Sequence, residues 1–93
     1  MTNNNVIYDE EDLELIRAMK EILAGCTEFV FSYKGKTYRI EPVDGKLVAY
    51  LEEENSLESM FSDLDDLMQH YIVEGLPFKD IVPEIDDYGQ YIL

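Results

Sequence analysis

The sequence predicts a single α+β domain over residues 1–93. It combines an N-terminal helix, a three- to four-stranded antiparallel β-meander and two C-terminal helices. Apolar residues recur with helical spacing after Asp9, alternate with a period of two between residues 28 and 51, and return to helical spacing over residues 64–71. The 46% hydrophobic content, with seven Tyr and four Phe, is typical of a folded domain and not of a disordered acidic chain.

Asp9 is the predicted N-cap of the first helix, since acidic residues fill the next turn, where the positive end of the helix dipole favours them. The face expected to pack on the core carries Leu15, Ile16, Met19, Ile22, Leu23 and Cys26. Gly25 fits the left-handed position that ends a helix. The sequence therefore predicts a helix over residues 10–24, preceded by a flexible lead-in over residues 1–8.

Between residues 28 and 51, apolar side chains alternate with polar ones, as in half-buried strands. The predicted strands cover residues 28–33, 37–41 and 46–51. The turns between them are Lys34-Gly35 and Asp44-Gly45, of which the second is a strong hairpin signal. We expect Pro42 to end the second strand, because proline donates no backbone hydrogen bond. Residues 57–61 fit either a short fourth strand or the start of a helix, and the sequence leaves both open.

In the second half of the chain, Ser62 is the predicted cap of a helix. Its core face would carry Leu64, Leu67, Met68 and Tyr71. Residues 72–73 form an extended link, and Pro77 fits the first turn of a third helix. The buried side of that helix would carry Phe78, Ile81, Val82 and Ile85. We expect the apolar C-terminal residues to pack back onto the domain; these are Tyr88, Tyr91, Ile92 and Leu93.

An enzyme is not expected, and no catalytic residues are predicted. Cys26 and His70 are the candidates for a thiol–imidazole pair, but Cys26 lies on the predicted core face, where cysteine behaves as a small hydrophobe. The single cysteine cannot form an internal disulfide, so a reducing cytoplasm is the expected compartment. No apolar run reaches the roughly 20 residues that a membrane helix needs.

No metal or cofactor is expected either. Asp63, Asp65 and Asp66 resemble the start of a calcium loop, but the positions that require an oxygen ligand and a glycine hold Leu67 and Met68. Carboxylates in the first turn of a helix explain the cluster without a metal.

The distribution of charge is the main functional signal. Residues 1–46 hold nine acids and six bases, net −3, whereas residues 47–93 hold twelve acids and one base, net −11. Residues 52–66 contain seven carboxylates and no Lys or Arg. Such a surface repels nucleic acid and anionic lipid and attracts basic protein surfaces. The predicted partner-binding residues are Glu52, Glu53, Glu54, Glu58, Asp63, Asp65, Asp66, Asp86 and Asp87.

Two interpretations of these acids stay open. They can be a solvated surface that keeps a small protein soluble, or they can imitate the phosphates of a nucleic acid and occupy the Lys and Arg array of a protein that binds it. The second interpretation predicts a non-enzymatic inhibitor, a monomer or weak dimer, whose partner is a larger basic nucleic-acid-binding protein.

The element order, the length below one hundred residues and the acidic second half resemble the small anti-CRISPR proteins of phages and other short acidic proteins of mobile elements. The resemblance covers residues 10–85 by architecture. It implies an inhibitor that acts by protein binding, with an RNA-guided nuclease as partner, inside the host cytoplasm. The paired arginines with which such nucleases contact DNA are natural partners for carboxylates.

The alternative function is a small interaction or assembly module of a mobile element. It would dock through the apolar C-terminal residues named above instead of through its acids. Salt dependence separates the two hypotheses, because charged interfaces weaken with ionic strength and apolar ones do not.

Overall fold

The computed structural model describes residues 7–91, and for residues 54–57 and 91 it describes the backbone alone. The helices are α1 (Glu10–Ala24), α2 (Leu64–His70) and α3 (Phe78–Ile81), the last followed by a 3₁₀ turn (Val82–Glu84). The strands are β1 (Glu28–Tyr33), β2 (Lys36–Val43), β3 (Lys46–Leu51), β4 (Glu54–Phe61), β5 (Ile72–Val73), β6 (Leu76–Pro77) and β7 (Asp87–Tyr91). The α+β class is confirmed.

The first helix begins and ends where the sequence predicts. Asp9 and Asp12 form a reciprocal capping box, in which each carboxylate accepts a hydrogen bond from the other residue's backbone N–H, at 2.9 and 3.1 Å. The helix buries Leu15, Met19 and Leu23. Ile16 and Ile22 are partly buried against the same core, so five of the six residues of the predicted core face are confirmed.

The left-handed residue that follows α1 is not the predicted one. Gly25 has φ −86°, and Cys26 is the residue in the left-handed region, with φ 60°. The Thr27 N–H donates to the Ile22 carbonyl and the Cys26 N–H to that of Leu23, which are the two hydrogen bonds of a Schellman motif. Cys26 is exposed, so its assignment to the core face was wrong: the helix has already ended.

Five strands form one antiparallel sheet in the order β4-β3-β2-β1-β7, one strand more than the upper predicted number. The hairpin turns carry positive φ at both central residues, 51° and 79° for Asp44 and Gly45. These values suit the right-handed twist of the flanking strands. Residues 57–61 are part of strand β4, which settles the open alternative, and β4 begins directly after the Glu52–Glu53 turn.

Strand β2 continues through Pro42, which the sequence had assigned as its end. Pro42 is opposite Leu47 of β3, while the pairing of β2 with β1 begins at Ile40 opposite Phe29. Pro42 therefore lies beyond the stretch that pairs with β1. Its missing N–H costs no hydrogen bond there, because proline is tolerated where one edge of the strand is unpaired.

Helix α2 begins one residue later than predicted. Asp63, and not Ser62, is its cap, and the Asp63 carboxylate accepts from the Asp66 N–H at 2.8 Å.

The second half of the chain also holds more strand than expected. Residues 72–73 are not a simple link, since β5 pairs with β6 in a short hairpin. The C-terminal residues also pack back as predicted in outline, but as an edge strand: Tyr88 of β7 lies opposite Phe31 of β1.

All three helices cover the same face of the sheet. One buried cluster joins Met19 of α1, Leu67 of α2 and Phe78 of α3 to Phe29 and Phe31 of β1. The Phe31 and Phe78 rings meet edge to face, with centroids 5.3 Å apart. The opposite face of the sheet, called here the outer face, has no helix over it within the described residues.

The predicted flexible lead-in falls mostly on residues 1–6, outside the described part of the chain. Tyr8, its last residue, is half-buried, and its hydroxyl donates to the Lys79 carbonyl at 2.6 Å. This bond ties the start of α1 to α3. Ile92 and Leu93, which the sequence also predicts to pack onto the domain, likewise lie outside the described residues.

Candidate functional site

Residues 52–66 follow one border of the molecule, which we call the acidic edge. Strand β4 is the first strand of the sheet and pairs with β3 on one side. The Glu52–Glu53 turn lies at the start of β4, and the first turn of α2 lies just beyond its end. From its first to its last residue, β4 spans seven rises of about 3.3 Å, so roughly 23 Å of strand lies between these acidic groups. Seven of the nine predicted partner-binding residues thus belong to one edge.

Glu52 is held in place at the start of the acidic edge. Its Oε1 lies 2.7 Å from Arg39 Nε and 2.6 Å from Arg39 Nη2, and its backbone N–H donates to the Thr37 carbonyl at 2.9 Å. The hydrogen bond to Glu52 is the main reason that the pKa of Arg39 is raised above its usual value. Glu53 is exposed in the same turn. The turn is therefore fixed while part of its charge remains available.

Behind Glu52, Arg39 joins a polar network on the outer face. Glu28 is 1% exposed and accepts from Arg39 Nη1 at 2.7 Å and from the Tyr50 hydroxyl at 2.8 Å. The same hydroxyl lies 3.3 Å from Oε2 of Glu41, a residue of β2. The network spans the three central strands and links the buried Glu28 to the acidic edge through one guanidinium.

The pKa values of the two carboxyl groups of this network are shifted in opposite directions. Burial alone would raise the pKa of Glu28, but hydrogen bonds from Glu41, Tyr50 and Arg39 outweigh it and lower that pKa. The hydrogen bond to Glu28, followed by burial, raises the pKa of Glu41. As pH falls, Glu41 is therefore protonated first, while Glu28 stays ionised to lower pH.

In the middle of the acidic edge, Glu58 is exposed and also raises the pKa of Glu41 through its charge. Met60, two residues later on the same face, is 61% exposed and opposite Val48 of β3. Glu54 belongs to β4, but its side chain lies outside the described residues. The middle of the edge thus combines a carboxylate with an apolar side chain.

At the far end of the acidic edge, two of the three aspartates are engaged by the helix that they start. Asp63 caps α2, and Asp66 accepts from the Ser62 N–H at 2.9 Å and lies 2.8 Å from Nδ1 of His70. The Ser62 backbone bond is the main reason that the pKa of Asp66 is lowered. Asp65 is exposed. These contacts fix the positions of the charges and prevent them from spreading apart.

Asp86 and Asp87 lie at the other border of the sheet. Asp87 begins β7 and is opposite Ser32 of β1. Four strand spacings of about 4.8 Å put β7 roughly 19 Å from β4. The two aspartates instead line a separate cavity of about 320 Å³ together with acids at the start of α1, namely Glu11, Asp12 and Glu14.

This second acidic group was missed as a group because its members are more than seventy residues apart in sequence. In the sequence, the α1 acids fit the first turn of a helix, and Asp86 and Asp87 are part of the acidic second half. The fold brings them together, since β7 pairs with β1 and the 3₁₀ turn lines the same cavity as the α1 acids. A sequence signal for β7 was weak, because its five residues include an aspartate and a glycine, which strands disfavour.

The other residues considered from the sequence have simple environments. Cys26 is exposed after α1, and His70 is paired with Asp66 at the end of α2. Within residues 7–91, no three His, Cys, Asp or Glu side chains are grouped so as to hold a metal ion. No helix in this part of the chain has the length and apolar content of a membrane span.

Comparison with known proteins adds no relative: no family model, no curated protein and no solved structure matches the chain.

Proposed function

We propose that this protein is a non-enzymatic inhibitor that binds the nucleic-acid site of a larger basic protein through its acidic edge. An RNA-guided nuclease is the first partner class to test. The observation that carries the proposal is the row of seven carboxylates in residues 52–66, without Lys or Arg in that segment, along one strand and its two ends.

The mean density of these charges supports imitation of one nucleic-acid strand. A strand of B-DNA carries one phosphate per about 3.4 Å, so a length of roughly 23 Å presents about seven phosphates. The segment that forms the acidic edge holds seven carboxylates, of which two precede β4, two belong to it and three follow it, so its mean charge density is of the same order. A groove lined with Lys and Arg at phosphate spacing would therefore meet a comparable density of charge.

The contacts that hold the two ends of the acidic edge in place support the same function. Glu52 is fixed by Arg39, and Asp63 and Asp66 are fixed at the start of α2. A surface that is already ordered loses less conformational entropy on binding. The exposed members, Glu53, Glu58 and Asp65, are then free to accept hydrogen bonds from a partner's arginines.

The proposal is tested by charge reversal at these three exposed acids. Glu53→Lys, Glu58→Lys and Asp65→Lys together change the charge of the edge without removing a helix cap or the Arg39 contact. The matched control reverses three exposed acids elsewhere, Glu14, Glu21 and Glu84, and changes the net charge equally.

Both variants and the unmodified protein are titrated against a set of guide-loaded nucleases that hold fluorescent target DNA. We expect the unmodified protein to displace DNA from one of them. This displacement should weaken steeply as the salt concentration rises from about 50 to 200 mM. The edge variant should lose displacement, and the control should keep most of it. If both variants lost displacement equally, net charge and not the acidic edge would explain the effect. If the unmodified protein displaced DNA from none of the nucleases, this partner class would be rejected.

A second candidate function rests on β7. This strand pairs with β1 alone within the described residues, so its other border is open, and Tyr88 is 37% exposed. An interaction module would bind a partner strand there, in a complex that resists salt. Deleting residues 88–93 is not a clean test, because it also removes Tyr88 from its contact with the Phe29 ring, at a centroid distance of 5.9 Å. Tyr88→Ser is the milder variant.

A further inference from the structure

A surface cavity of about 450 Å³ opens at the far end of the acidic edge, and we call it the anchor pocket. It lies between the end of α1, the β2–β3 turn and the start of α2. Leu23, Pro42, Leu47 and Leu64 are among its apolar walls. Leu23 and Leu47 are core residues, each 9% exposed, so the wall of the pocket includes part of the hydrophobic core.

The rim of the anchor pocket is balanced in charge, unlike the acidic edge that leads to it. Lys20 and Lys46 contribute two positive charges, and Asp44 and Asp63 contribute two negative ones. A balanced rim favours neither an anion nor a cation, whereas the apolar walls favour an uncharged, water-avoiding group. The chemistry of the pocket thus selects a neutral apolar occupant.

The backbone around the pocket is shaped before any ligand arrives. Cys26 and Asp44 on its rim both hold left-handed φ values, 60° and 51°, in a helix-ending motif and a two-residue hairpin turn. Hydrogen bonds close the helix-ending motif, at 3.1 Å for the Cys26 N–H to the Leu23 carbonyl. A preformed pocket requires little ordering on binding, which favours affinity.

The pocket is continuous with the acidic edge. Ser62, Asp63 and Leu64 line it, and the same three residues are the last stretch of the edge before Asp65. Whatever lies along β4 and continues past Phe61 reaches the pocket next. Charge alone accelerates and orients association more than it tightens a complex, and tight interfaces centre on a few apolar or aromatic anchors in pockets.

We infer that the anchor pocket receives one aromatic or branched aliphatic side chain of the same basic partner whose cationic residues bind the acidic edge. This inference rests on the proposed function and names a feature of its partner: a run of cationic residues with an apolar residue beside it. The edge supplies steering, and the pocket supplies the salt-resistant part of the affinity.

Two synthetic peptides provide the test. Both alternate Lys and Ser over twelve residues; one ends in Trp at both termini, and the other ends in Ala, so that either binding direction offers an anchor. Fluorescence anisotropy measures their affinity for the intact protein at several salt concentrations. We expect about tenfold tighter binding of the Trp peptide, the effect of one anchor residue, with the same salt slope for both peptides.

Two ways of filling the pocket complete the test. Ala24→Phe puts a ring at the exposed last residue of α1, on the pocket wall. Because the chain has one cysteine, a bulky maleimide on Cys26 fills the mouth of the folded protein selectively. The control is Cys26→Ser with Leu13→Cys, alkylated near the other end of α1, where Leu13 is 43% exposed.

Both filled forms should lose the tenfold preference for Trp and keep their affinity for the Ala peptide, while the alkylated control keeps the preference. Equal affinity of the two peptides for the unmodified protein overturns the anchor pocket and leaves the acidic edge standing. A preference that survives both fillings places the Trp elsewhere and also overturns it. Failure of both peptides to bind at low salt overturns the proposed function itself.

Discussion

Nη1 of Arg39 lies 2.7 Å from Oε1 of Glu28, whose side chain is 1% exposed although it belongs to the face of the sheet that carries no helix. A carboxylate this buried remains ionised when its partner supplies charge and hydrogen bonds. Since the same guanidinium binds Glu52, the position of the acidic edge depends on a residue two strands away.

Removing this guanidinium should therefore cost much stability. Arg39→Met leaves Glu28 buried without its cationic partner, and we expect the free energy of unfolding to fall by about 3 kcal/mol. The double variant Arg39→Met with Glu28→Leu should recover most of that loss, because no buried charge remains. Urea denaturation followed by circular dichroism measures both.

An exposed ion pair provides the comparison for Arg39. Lys36 and Glu74 are 3.1 Å apart, and their side chains are 49% and 33% exposed. Lys36→Met should lower the free energy of unfolding by less than about 1 kcal/mol, because solvent screens such pairs. Losses of similar size in Lys36→Met and Arg39→Met would show that the burial of Glu28 has no energetic consequence.

The opposed pKa shifts of Glu28 and Glu41 predict a characteristic dependence of stability on pH. The pKa of Glu28 is lowered, so its contribution to stability is present above the ordinary glutamate value and is lost as pH falls through its folded pKa. The pKa of Glu41 is raised, so its contribution is present below the ordinary value and is lost as pH rises through its folded pKa.

Glu41→Gln isolates the second effect, because glutamine remains neutral at every pH and can still donate a hydrogen bond to Glu28. We expect the variant to be more stable than the unmodified protein at pH 7 and to lose this advantage on acidification below the ordinary glutamate pKa, about 4.3. Urea midpoints between about pH 3.5 and 7.5 measure the difference. A difference that stays constant over this range would contradict the proton-holding role of Glu41.

The end of α1 offers a stabilising substitution. Cys26 occupies a left-handed conformation, with φ 60°, which costs an L-residue about 1–2 kcal/mol and glycine much less. Cys26→Gly should therefore raise the free energy of unfolding by about 1 kcal/mol. Cys26→Ser, which keeps the backbone strain and removes only the thiol, should change it little, and an equal gain in the serine variant would assign the effect to the thiol instead.

The sequence predictions are accurate where the interacting residues are close together in the sequence. The stripe containing Leu15, Met19 and Leu23 and the hairpin at Asp44-Gly45 were predicted correctly, because spacing and turn chemistry are local. The left-handed residue after α1 was placed one position early, at Gly25, because glycine is the usual residue there. The helical hydrogen bonds continue one residue farther than that rule assumes.

Interactions between distant residues account for the rest. Glu28 follows Thr27 and precedes an apolar run, and nothing local predicts that Arg39 and Tyr50 from neighbouring strands will bury it. The acidic edge was predicted because residues 52–66 are contiguous in sequence. The separation of Asp86 and Asp87 from that edge was not predicted, because it follows from the position of β7 at the opposite border of the sheet.

Strand β7 allows the last prediction, at Gly89. A β-carbon added there would meet no atom within 4 Å, and the residue does not have the positive φ found at Gly45, which is 79°. Glycine in a strand loses more conformational freedom on folding than other residues and packs no side chain. Gly89→Thr should therefore raise the free energy of unfolding by about 0.5–1 kcal/mol. Gly45→Thr, which also finds open space but forces a β-branched residue into the left-handed region, should lower it by about 1–3 kcal/mol.

Thermal denaturation of the Gly89→Thr and Gly45→Thr variants side by side measures both changes in stability. A loss of stability in Gly89→Thr would mean that the backbone of β7 needs its glycine, and the strand would then be held to β1 less regularly than its pairing from Asp87 to Tyr91 indicates.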